Sequence, residues 1–374
     1  MSSSAAAPAD VAAPRALAII GALYAVSALV SALLAAATGA PFVPWFRDTP
    51  LLLGAMLALL LLMGIAWDGS LVSIGLAADA LRRRAGRSGD SPLGVVAMRA
   101  RRFFSCGPAP IAMLLATAVA ILGTSNITLL NLELLSHSTR WRDPFFWRLE
   151  GGVLERVAAL PIDTAAWDRL YHSAWGIELF AAFALVVIGR GSRIVLHYCV
   201  TMIVLFYVGR LLGVLNPVMG PAFYRPEVFA YLDGSVTADA MRMVAQVMAS
   251  PPERAVRSGG ILLGGVSAMP SLHVAMVAVT AYWLARAARW TLWITAPWVA
   301  LVWMSTVVLG WHYIIDGAGG IALGAACVWL AVRLLRACNS PVTAARATAA
   351  TRAGLPAASG IEAQGRTGSP RPDG

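Results

Sequence analysis

Two short polar motifs stand out in an apolar chain, and each of them contains a histidine. The first reads SAMPSLH at 267–273, and the second begins at Ser305 and ends in GWHYIID at 310–316. His312 and Asp316 are four residues apart, so in a helix they would share one face, where the carboxylate can hold the imidazole in one tautomer and orientation. A histidine that acts as a nucleophile needs this kind of support.

The first motif has the pattern of a helix start. Pro270 and Ser271 directly precede an apolar run, so the run is predicted to begin as a helix at this point. The backbone N–H groups of a first helical turn lack partners and lie at the positive end of the helix dipole, which favours a bound phosphate. The two motifs together therefore indicate chemistry on a phosphate group.

These residues resemble the type 2 phosphatidic acid phosphatase superfamily, whose members are integral-membrane enzymes. Its second motif reads P-S-G-H, and its third reads S-R, five residues, H, three residues and D. The chain has PSLH at 270–273 and ST, five residues, H, three residues and D at 305–316, with Leu272 in place of the glycine and Thr306 in place of the arginine. The leucine and the GWHY reading look like the branch that includes inositol phosphorylceramide synthase-like transferases as well as phosphatases.

The resemblance implies a role for each residue of the motifs. His312 would attack the phosphorus of a lipid phosphate, Asp316 would stabilise the imidazolium, and His273 would protonate the leaving oxygen. Ser271 and backbone amides near Leu272 would hold phosphate oxygens. Water then opens the phosphohistidine in a phosphatase, or another alcohol opens it in a transferase. This scheme requires no metal and no other cofactor.

Phosphoryl transfer also needs positive charge around the equatorial oxygens. The family's usual first motif, a lysine followed after six residues by Arg-Pro, is not present. In its place the chain has Arg210 and then NPVMGPAFYRP at 216–226, and Arg225 is the first candidate for the phosphate clamp. Each of these arginines could equally anchor the chain at the membrane interface. The phosphate-binding candidates are Ser271, Leu272, Arg225, Arg210, Ser305 and Thr306, with Arg257 behind them.

Membrane-spanning helices must position these motifs. Of the 374 residues, 59% are hydrophobic and only 13% are charged, which is typical of a multi-span membrane protein. We therefore predict an all-α integral membrane fold of about eight transmembrane helices, with a six-helix phosphatidic acid phosphatase-like core after two extra helices. The apolar runs lie at 15–37, 50–67, 109–131, 173–189, 194–214, 271–286, 290–309 and 313–336.

The distribution of arginine predicts the topology. All 29 basic residues are arginines, and a cluster that begins with Arg82, Arg83 and Arg84 follows the second run. By the positive-inside rule this cluster and both termini are cytoplasmic, so the two motifs emerge together on the extracytoplasmic face of the cell membrane. The net charge of +10 therefore reflects membrane topology, and we expect no nucleic acid partner. The four cysteines show no metal-binding spacing, and we expect no disulfide.

These boundaries divide the chain into four parts. We predict a cytoplasmic N-terminus at 1–14, two helices with an Arg-rich cytoplasmic loop at 15–104, the six-helix catalytic core at 105–337, and a disordered cytoplasmic tail at 338–374. The loop 132–172 either forms an amphipathic helix on the outer membrane surface or caps the helix bundle. Glu178, an acid within a span, is predicted to lie near its outer end in an interfacial role.

The leading hypothesis is an enzyme that acts on a phospholipid or polyprenyl phosphate at the outer face of the membrane. Phosphatase and phosphotransferase activities are both open, and the transferase alternative includes an inositol phosphorylceramide synthase-like headgroup transfer. A transporter is a second class, since eight spans and a Pro-Gly-rich break at 216–226 also suit a carrier. An inactive relative that serves as a scaffold is a third, because the family's lysine and arginine are missing.

Overall fold

Helices form all the regular structure in the residues that the computed structural model describes, which are 12–136, 141–189, 191–250 and 267–338. The predicted tail after Cys338, most of the predicted N-terminus, and Arg257 lie outside them. One unit comprises Met1–Ala331 and contains both motifs, and a second comprises Val332–Gly374. The helices are α1 Ala13–Thr38, α2 Thr49–Arg84, α3 Pro92–Ala100, α4 Ala109–Gly123, α5 Ser125–Ser136, α6 Asp143–Ala158, α7 Thr164–Ile188, α8 Ser192–Leu215, α9 Pro221–Tyr224, α10 Val236–Met248, α11 Leu272–Ala287, α12 Leu292–Val308 and α13 Ile314–Cys338.

Seven helical stretches in the described residues are long and apolar enough to cross a membrane. They coincide with seven of the eight predicted runs, so the prediction of an all-α integral membrane fold is confirmed. The eighth run forms α11, which has 16 residues and is about 24 Å long. It is shorter than the others because the polar first motif occupies the chain directly before Leu272, and Ser271 ends the extended segment as the N-cap of the helix.

Helix α2 is much longer than its apolar run. It has 36 residues, and its last turn contains Arg82, Arg83 and Arg84, whose positive charges are favourable at the negative end of the helix dipole. The chain then folds back along it, because the Asp79 carboxylate accepts the backbone N–H of Ser91 at 2.7 Å just before α3 begins. Much of the predicted Arg-rich loop is therefore helix.

Buried hydrogen bonds connect the helices of the bundle. Glu178 on α7 accepts the hydroxyl of Thr280 on α11 at 2.5 Å, and the indole of Trp283 on α11 donates to Thr201 on α8 at 3.2 Å. Glu178 is only 6% exposed, and its carboxylate has a partner on a neighbouring helix, as a buried polar group requires. Its interfacial role stays a prediction.

Candidate active site

The second motif forms a tight turn between α12 and α13. The backbone N–H groups of Trp311 and His312 both donate to the carbonyl of Thr306, at 3.0 and 3.1 Å. Gly310 has a φ of +70°, a left-handed conformation that favours glycine. A Cβ on Gly310 would also lie 2.5 Å from the Cβ of Ala222. The turn that carries His312 is therefore fixed by its backbone and by close packing.

Replacing Gly310 by alanine is expected to destabilise the protein more than Gly39→Ala does. Both glycines have a positive φ, but Gly39 has open space around its missing Cβ, whereas Gly310 lies against Ala222. The difference between the two losses of unfolding free energy gives the cost of crowding the Cβ, which is about 1–3 kcal/mol for an overpacked site. Thermal unfolding of both variants in detergent measures it, and equal destabilisation would contradict the close packing of the turn.

His312 and Asp316 face each other, although not in the way the sequence predicts. Helix α13 begins only at Ile314, so His312 precedes the helix instead of sharing a helical face with Asp316. Asp316 reaches back, and its Oδ2 accepts the N–H of Tyr313 at 2.8 Å, as the third helical residue does in a capping box. The same oxygen lies 3.5 Å from Nδ1 of His312. Asp316 is completely buried, so its charge acts on the imidazole without screening by water.

The first motif comes to the same place. The rings of His273 and His312 lie 6.4 Å apart between centroids. The backbone N–H of Ser271 donates to the carbonyl of Asp316 at 3.0 Å, and a Cβ on Gly320 of α13 would lie 2.4 Å from the carbonyl of Ser271. The start of α11 therefore packs directly against α13, and the three residues predicted to be catalytic are neighbours.

Aromatic side chains of α7 surround His273. Its ring lies 4.9 Å from that of Tyr171 and 5.5 Å from that of Trp175. Tyr171 also stacks on Trp311 of the second motif, with the ring planes at 11°. These contacts fix the orientation of His273 and shield one side of the site from water.

Three hydroxyl groups predicted to bind phosphate are already engaged within helices. The Ser271 side chain is fully buried and accepts the N–H of Val274 at 3.4 Å as the N-cap of α11. The hydroxyls of Ser305 and Thr306, also fully buried, donate to the carbonyls of Val302 and Trp303 at 2.7 Å. Thr306 thus supports the site through its backbone carbonyl, which accepts the N–H groups of Trp311 and His312. The prediction concerned only its side chain.

The region around Leu272 retains a feature suited to phosphate. The N–H groups of Leu272 and His273 lie in the first turn of α11, where helix geometry leaves them without intrahelical acceptors. The Leu272 side chain packs away against α8, since its Cδ2 lies 2.4 Å from the position of a Cβ on Gly209. The backbone of this residue, and not its side chain, is therefore the part available to a phosphate.

The predicted arginine clamps have other partners. Arg210 on α8 donates to the hydroxyl of Ser125 on α5 at 2.8 Å. Arg225 forms an exposed ion pair with Glu227 at 3.2 Å and lies against the rings of Trp147 and Tyr224. An exposed ion pair is weak, so Arg225 can exchange its partner for a phosphate more readily than the half-buried Arg210 can.

The Pro-Gly-rich segment 216–222 connects the two motifs. The carbonyl of Val218 accepts the N–H of Ala268 at 2.6 Å, and the N–H of Ala222 donates to the carbonyl of Gly310 at 3.0 Å. The longer segment 216–226 was predicted to contribute a phosphate clamp through Arg225 or to form a carrier-like break, and both stay predictions. The backbone of 216–222 holds the start of the first motif against the turn of the second.

Two carboxylates that the sequence analysis missed support the site from α6. Asp143 accepts the N–H groups of Met219 and Gly220, at 2.9 and 3.0 Å, and the hydroxyl of Tyr313 at 3.3 Å. Burial raises the pKa of Asp143, and burial together with the adjacent Asp143 raises the pKa of Tyr313. The hydrogen bonds of this pair are therefore made within a water-poor environment.

Glu150 is the second of these carboxylates. Its two oxygens accept the N–H groups of Ile314 and Ile315, at 2.6 and 2.9 Å, at the start of α13. Burial raises the pKa of Glu150, and the nearby charge of Asp316 raises it further. The available signal was helical spacing, because Asp143 and Glu150 share the face of α6 that also contains the buried Phe146 and Leu154.

Helix α6 lies in the loop 132–172, for which the sequence left two interpretations open. The helix forms, and its inward face packs over the site, so the capping role is present. Phe145 and Leu149 on the opposite face are more than half exposed. Contact of that face with the membrane surface stays a prediction.

A cavity of about 520 Å³ opens beside the N-terminal end of α7. It is lined by Arg169, His172, Tyr231 and Asp233, among others. Its lining contains neither motif histidine and not Asp316, so it is separate from the three residues predicted to be catalytic. In the described residues, no three or more His, Cys, Asp or Glu side chains are grouped as a metal ion would require.

Comparison with known proteins gives a match that includes both motifs. A family model described as the PAP2 superfamily matches residues 154–330. Comparisons with curated proteins and with solved structures gave no match.

Proposed function

Residues 154–330 of this chain belong to the PAP2 superfamily, and from that premise we propose that it is a membrane enzyme that transfers phosphoryl groups of lipid phosphates through a phosphohistidine at His312. The observation that carries the proposal is the meeting of two motifs distant in sequence. The His312–Asp316 pair lies beside His273, and a backbone hydrogen bond from Ser271 to Asp316 joins the helices that carry them. A structural histidine would have no need of this arrangement.

The geometry supports Nε2 of His312 as the attacking nitrogen. Nδ1 of His312 faces Oδ2 of Asp316, so a proton on Nδ1 points to the carboxylate and the lone pair of Nε2 is free. Nε2 attacks the phosphorus, and the bond from phosphorus to the ester oxygen breaks. His273 gives its proton to that leaving oxygen. Asp316 stabilises the positive imidazole ring that results.

The second half of the reaction returns the enzyme to its starting state. An oxygen of water or of another alcohol attacks the phosphorus, neutral His273 takes its proton, and the bond from phosphorus to Nε2 breaks. Water gives inorganic phosphate, and an alcohol gives a new phosphate ester. The amides of Leu272 and His273 bind phosphate oxygens throughout, with Arg225 as the proposed source of positive charge.

We also propose that the site faces the extracytoplasmic side of the cell membrane, with both termini cytoplasmic. The support is the arginine cluster at the end of α2, which the positive-inside rule places in the cytoplasm. Both motifs lie at the same end of the bundle, where α11 and α13 begin and α12 ends. An accessibility assay with a single cysteine introduced at Glu227, in a variant without the native cysteines, tests this orientation. Labelling by an impermeant thiol reagent only after the membrane is opened would contradict it.

A panel of lipid phosphates tests the proposed function and names the reaction. Membranes with the protein are incubated with phosphatidate, polyprenyl diphosphate and other labelled lipid phosphates, and both free phosphate and new phospholipids are measured. Release of phosphate identifies a phosphatase, and label on a second alcohol identifies a transferase, including a headgroup transferase. If His312→Ala leaves every product unchanged, the enzyme proposal fails and the transporter or scaffold alternative replaces it.

Replacing His273 by glutamine is expected to lower kcat about 100-fold on an alkyl phosphate, because the leaving alkoxide then receives no proton. The same variant is expected to keep most of its kcat/KM on p-nitrophenyl phosphate, because kcat/KM covers only the steps up to release of the leaving group and nitrophenolate leaves without protonation. Parallel assays of the two substrates measure this difference. An equal loss on both substrates would show that His273 is not the general acid.

A further inference from the structure

Two carboxylates close the first turn of the helix that carries Asp316. A helix begins with N–H groups that have no intrahelical acceptor. In α13, the N–H of Tyr313 donates to Asp316 itself, and those of Ile314 and Ile315 donate to Glu150 at 2.6 and 2.9 Å. Glu150 comes from α6, more than 160 residues earlier in the chain.

The position of this turn determines where Asp316 points. Asp316 lies within it, and its own N–H donates to the carbonyl of Tyr313 at 3.1 Å. Its Oδ2 is 3.5 Å from Nδ1 of His312, so a small rotation of the turn would change that distance. Glu150 is the group from outside the turn that fixes two of its amides.

Glu150 also determines which helix start is open to phosphate. A carboxylate at the positive end of α13 satisfies the charge preference that a phosphate would otherwise satisfy. The start of α11, with the amides of Leu272 and His273, has no such carboxylate among its hydrogen-bond partners in the described residues. Phosphate is thereby directed to α11, on the side of His273.

Other contacts of α6 hold Glu150 in place against the first turn of α13. Asp143, two turns before Glu150, bonds to Met219, Gly220 and Tyr313. The ring of Phe146, between the two acids, lies 5.5 Å from that of Tyr313. Glu150 is therefore held at the site and does not move with a free surface helix.

We propose that Glu150 is a positioning residue for phosphoryl transfer, which fixes the first turn of α13 so that Asp316 faces Nδ1 of His312. The proposal rests on the function proposed above. Glu150 precedes the residues that match the PAP2 superfamily, so this chain supplies it from the part of its sequence outside that match.

The test compares Glu150→Gln with two matched controls. The glutamine keeps the volume of the glutamate side chain. Its NH₂ group is a donor where one carboxylate oxygen accepted, so the hydrogen bond from either Ile314 or Ile315 is lost. Asp168→Asn loses the same kind of bond, because Asp168 accepts the N–H groups of Val236 and Thr237, at 3.0 and 3.2 Å, at the start of α10. Glu155→Gln removes an exposed charge from α6 itself.

We expect Glu150→Gln to lower kcat at least tenfold and to change KM less than twofold, since a misplacement of about 1 Å can cost about 100-fold in rate. Asp168→Asn and Glu155→Gln keep the wild-type kcat. A wild-type kcat for Glu150→Gln, or an equal loss in Asp168→Asn, would overturn the proposal and leave Glu150 as a helix cap only. Melting temperatures of all variants show whether folded protein is being compared.

If Glu150→Gln does not give folded protein, Glu150→Asp replaces it, because it keeps the charge and loses one methylene of reach. A reduced kcat with unchanged KM supports the proposal, and a wild-type kcat overturns it. His312→Asn in the same series distinguishes a failure of the proposed function from a failure of the positioning role. If it is as active as the wild type, the proposed function fails, whereas its inactivity beside a wild-type kcat for the Glu150 variant overturns the positioning role alone.

Discussion

Replacing His312 by asparagine is expected to abolish both phosphate release and transfer to an alcohol. Asparagine keeps an amide group where the Nδ1 side of the ring lies, but it has no nitrogen that can attack phosphorus. A covalent route has no substitute for its nucleophile, so the remaining rate should fall to the level of membranes without the protein, a loss of about 10⁴-fold or more. Turnover of the labelled lipid phosphate that the wild type uses best measures the effect.

His197→Asn is the matched control for this variant. His197 lies within α8, and its ring hydrogen-bonds to the carbonyl of Arg193 and packs against Trp283, away from both motifs. It should keep the wild-type rate. An active His312→Asn variant, or an equal loss in His197→Asn, would mean that the phosphohistidine scheme is wrong.

Replacing Asp316 by asparagine is expected to lower kcat about 10³- to 10⁴-fold with little change in KM. The asparagine carbonyl can still accept the N–H of Tyr313, so the turn is retained. Its amide group, however, donates to Nδ1 of His312 and thereby moves the imidazole proton to Nε2, where the attacking lone pair is needed. The loss of the same support in a catalytic triad has an effect of this size.

The control for this charge removal is Asp239→Asn. Asp239 lies on α10 and pairs with Arg242 at the surface, where an ion pair contributes little. Kinetics of both variants on one lipid phosphate give the comparison. An Asp316→Asn variant within tenfold of the wild-type kcat would show that this carboxylate does not act on His312.

The sequence predicted those parts of the fold that depend on local composition. In a bilayer, an apolar run of about 20 residues can form all its backbone hydrogen bonds internally only as a helix. Seven spans and the helix after Ser271 therefore appear where they were expected. The prediction missed the extension of α2, because its second half alternates small, polar and apolar residues and no longer forms a continuous apolar run.

The sequence motifs and their spacing predicted which three side chains lie close together. His273, His312 and Asp316 come together, although Asp316 reaches His312 from the first turn of α13 and not along one helical face. The hydroxyls of Ser271, Ser305 and Thr306 hydrogen-bond to the backbone of their own helices, as serine and threonine in helices readily do, and their binding of phosphate stays a prediction.

Helical spacing predicts that the two supporting carboxylates share one face of α6, but it does not predict which groups that face contacts. Glu150 and Asp143 accept hydrogen bonds from backbone N–H groups. Almost every residue type has a backbone N–H group, so the sequence does not indicate which residue is the donor. Their long separation from Ile314 and Met219 also hides the pairing. The contact of α6 with the turn that carries His312 appears only in the structure.

The most direct test of the central claim is to trap the phosphoryl enzyme and locate the phosphate. Purified protein is mixed with a lipid phosphate labelled on phosphorus, quenched in alkali within milliseconds, digested and analysed by mass spectrometry. The account predicts a base-stable, acid-labile phosphate on His312 that is absent from His312→Asn and accumulates when the second step is slowed. A phosphate on another residue, or turnover by the wild type with no covalent phosphate at any time, would contradict it.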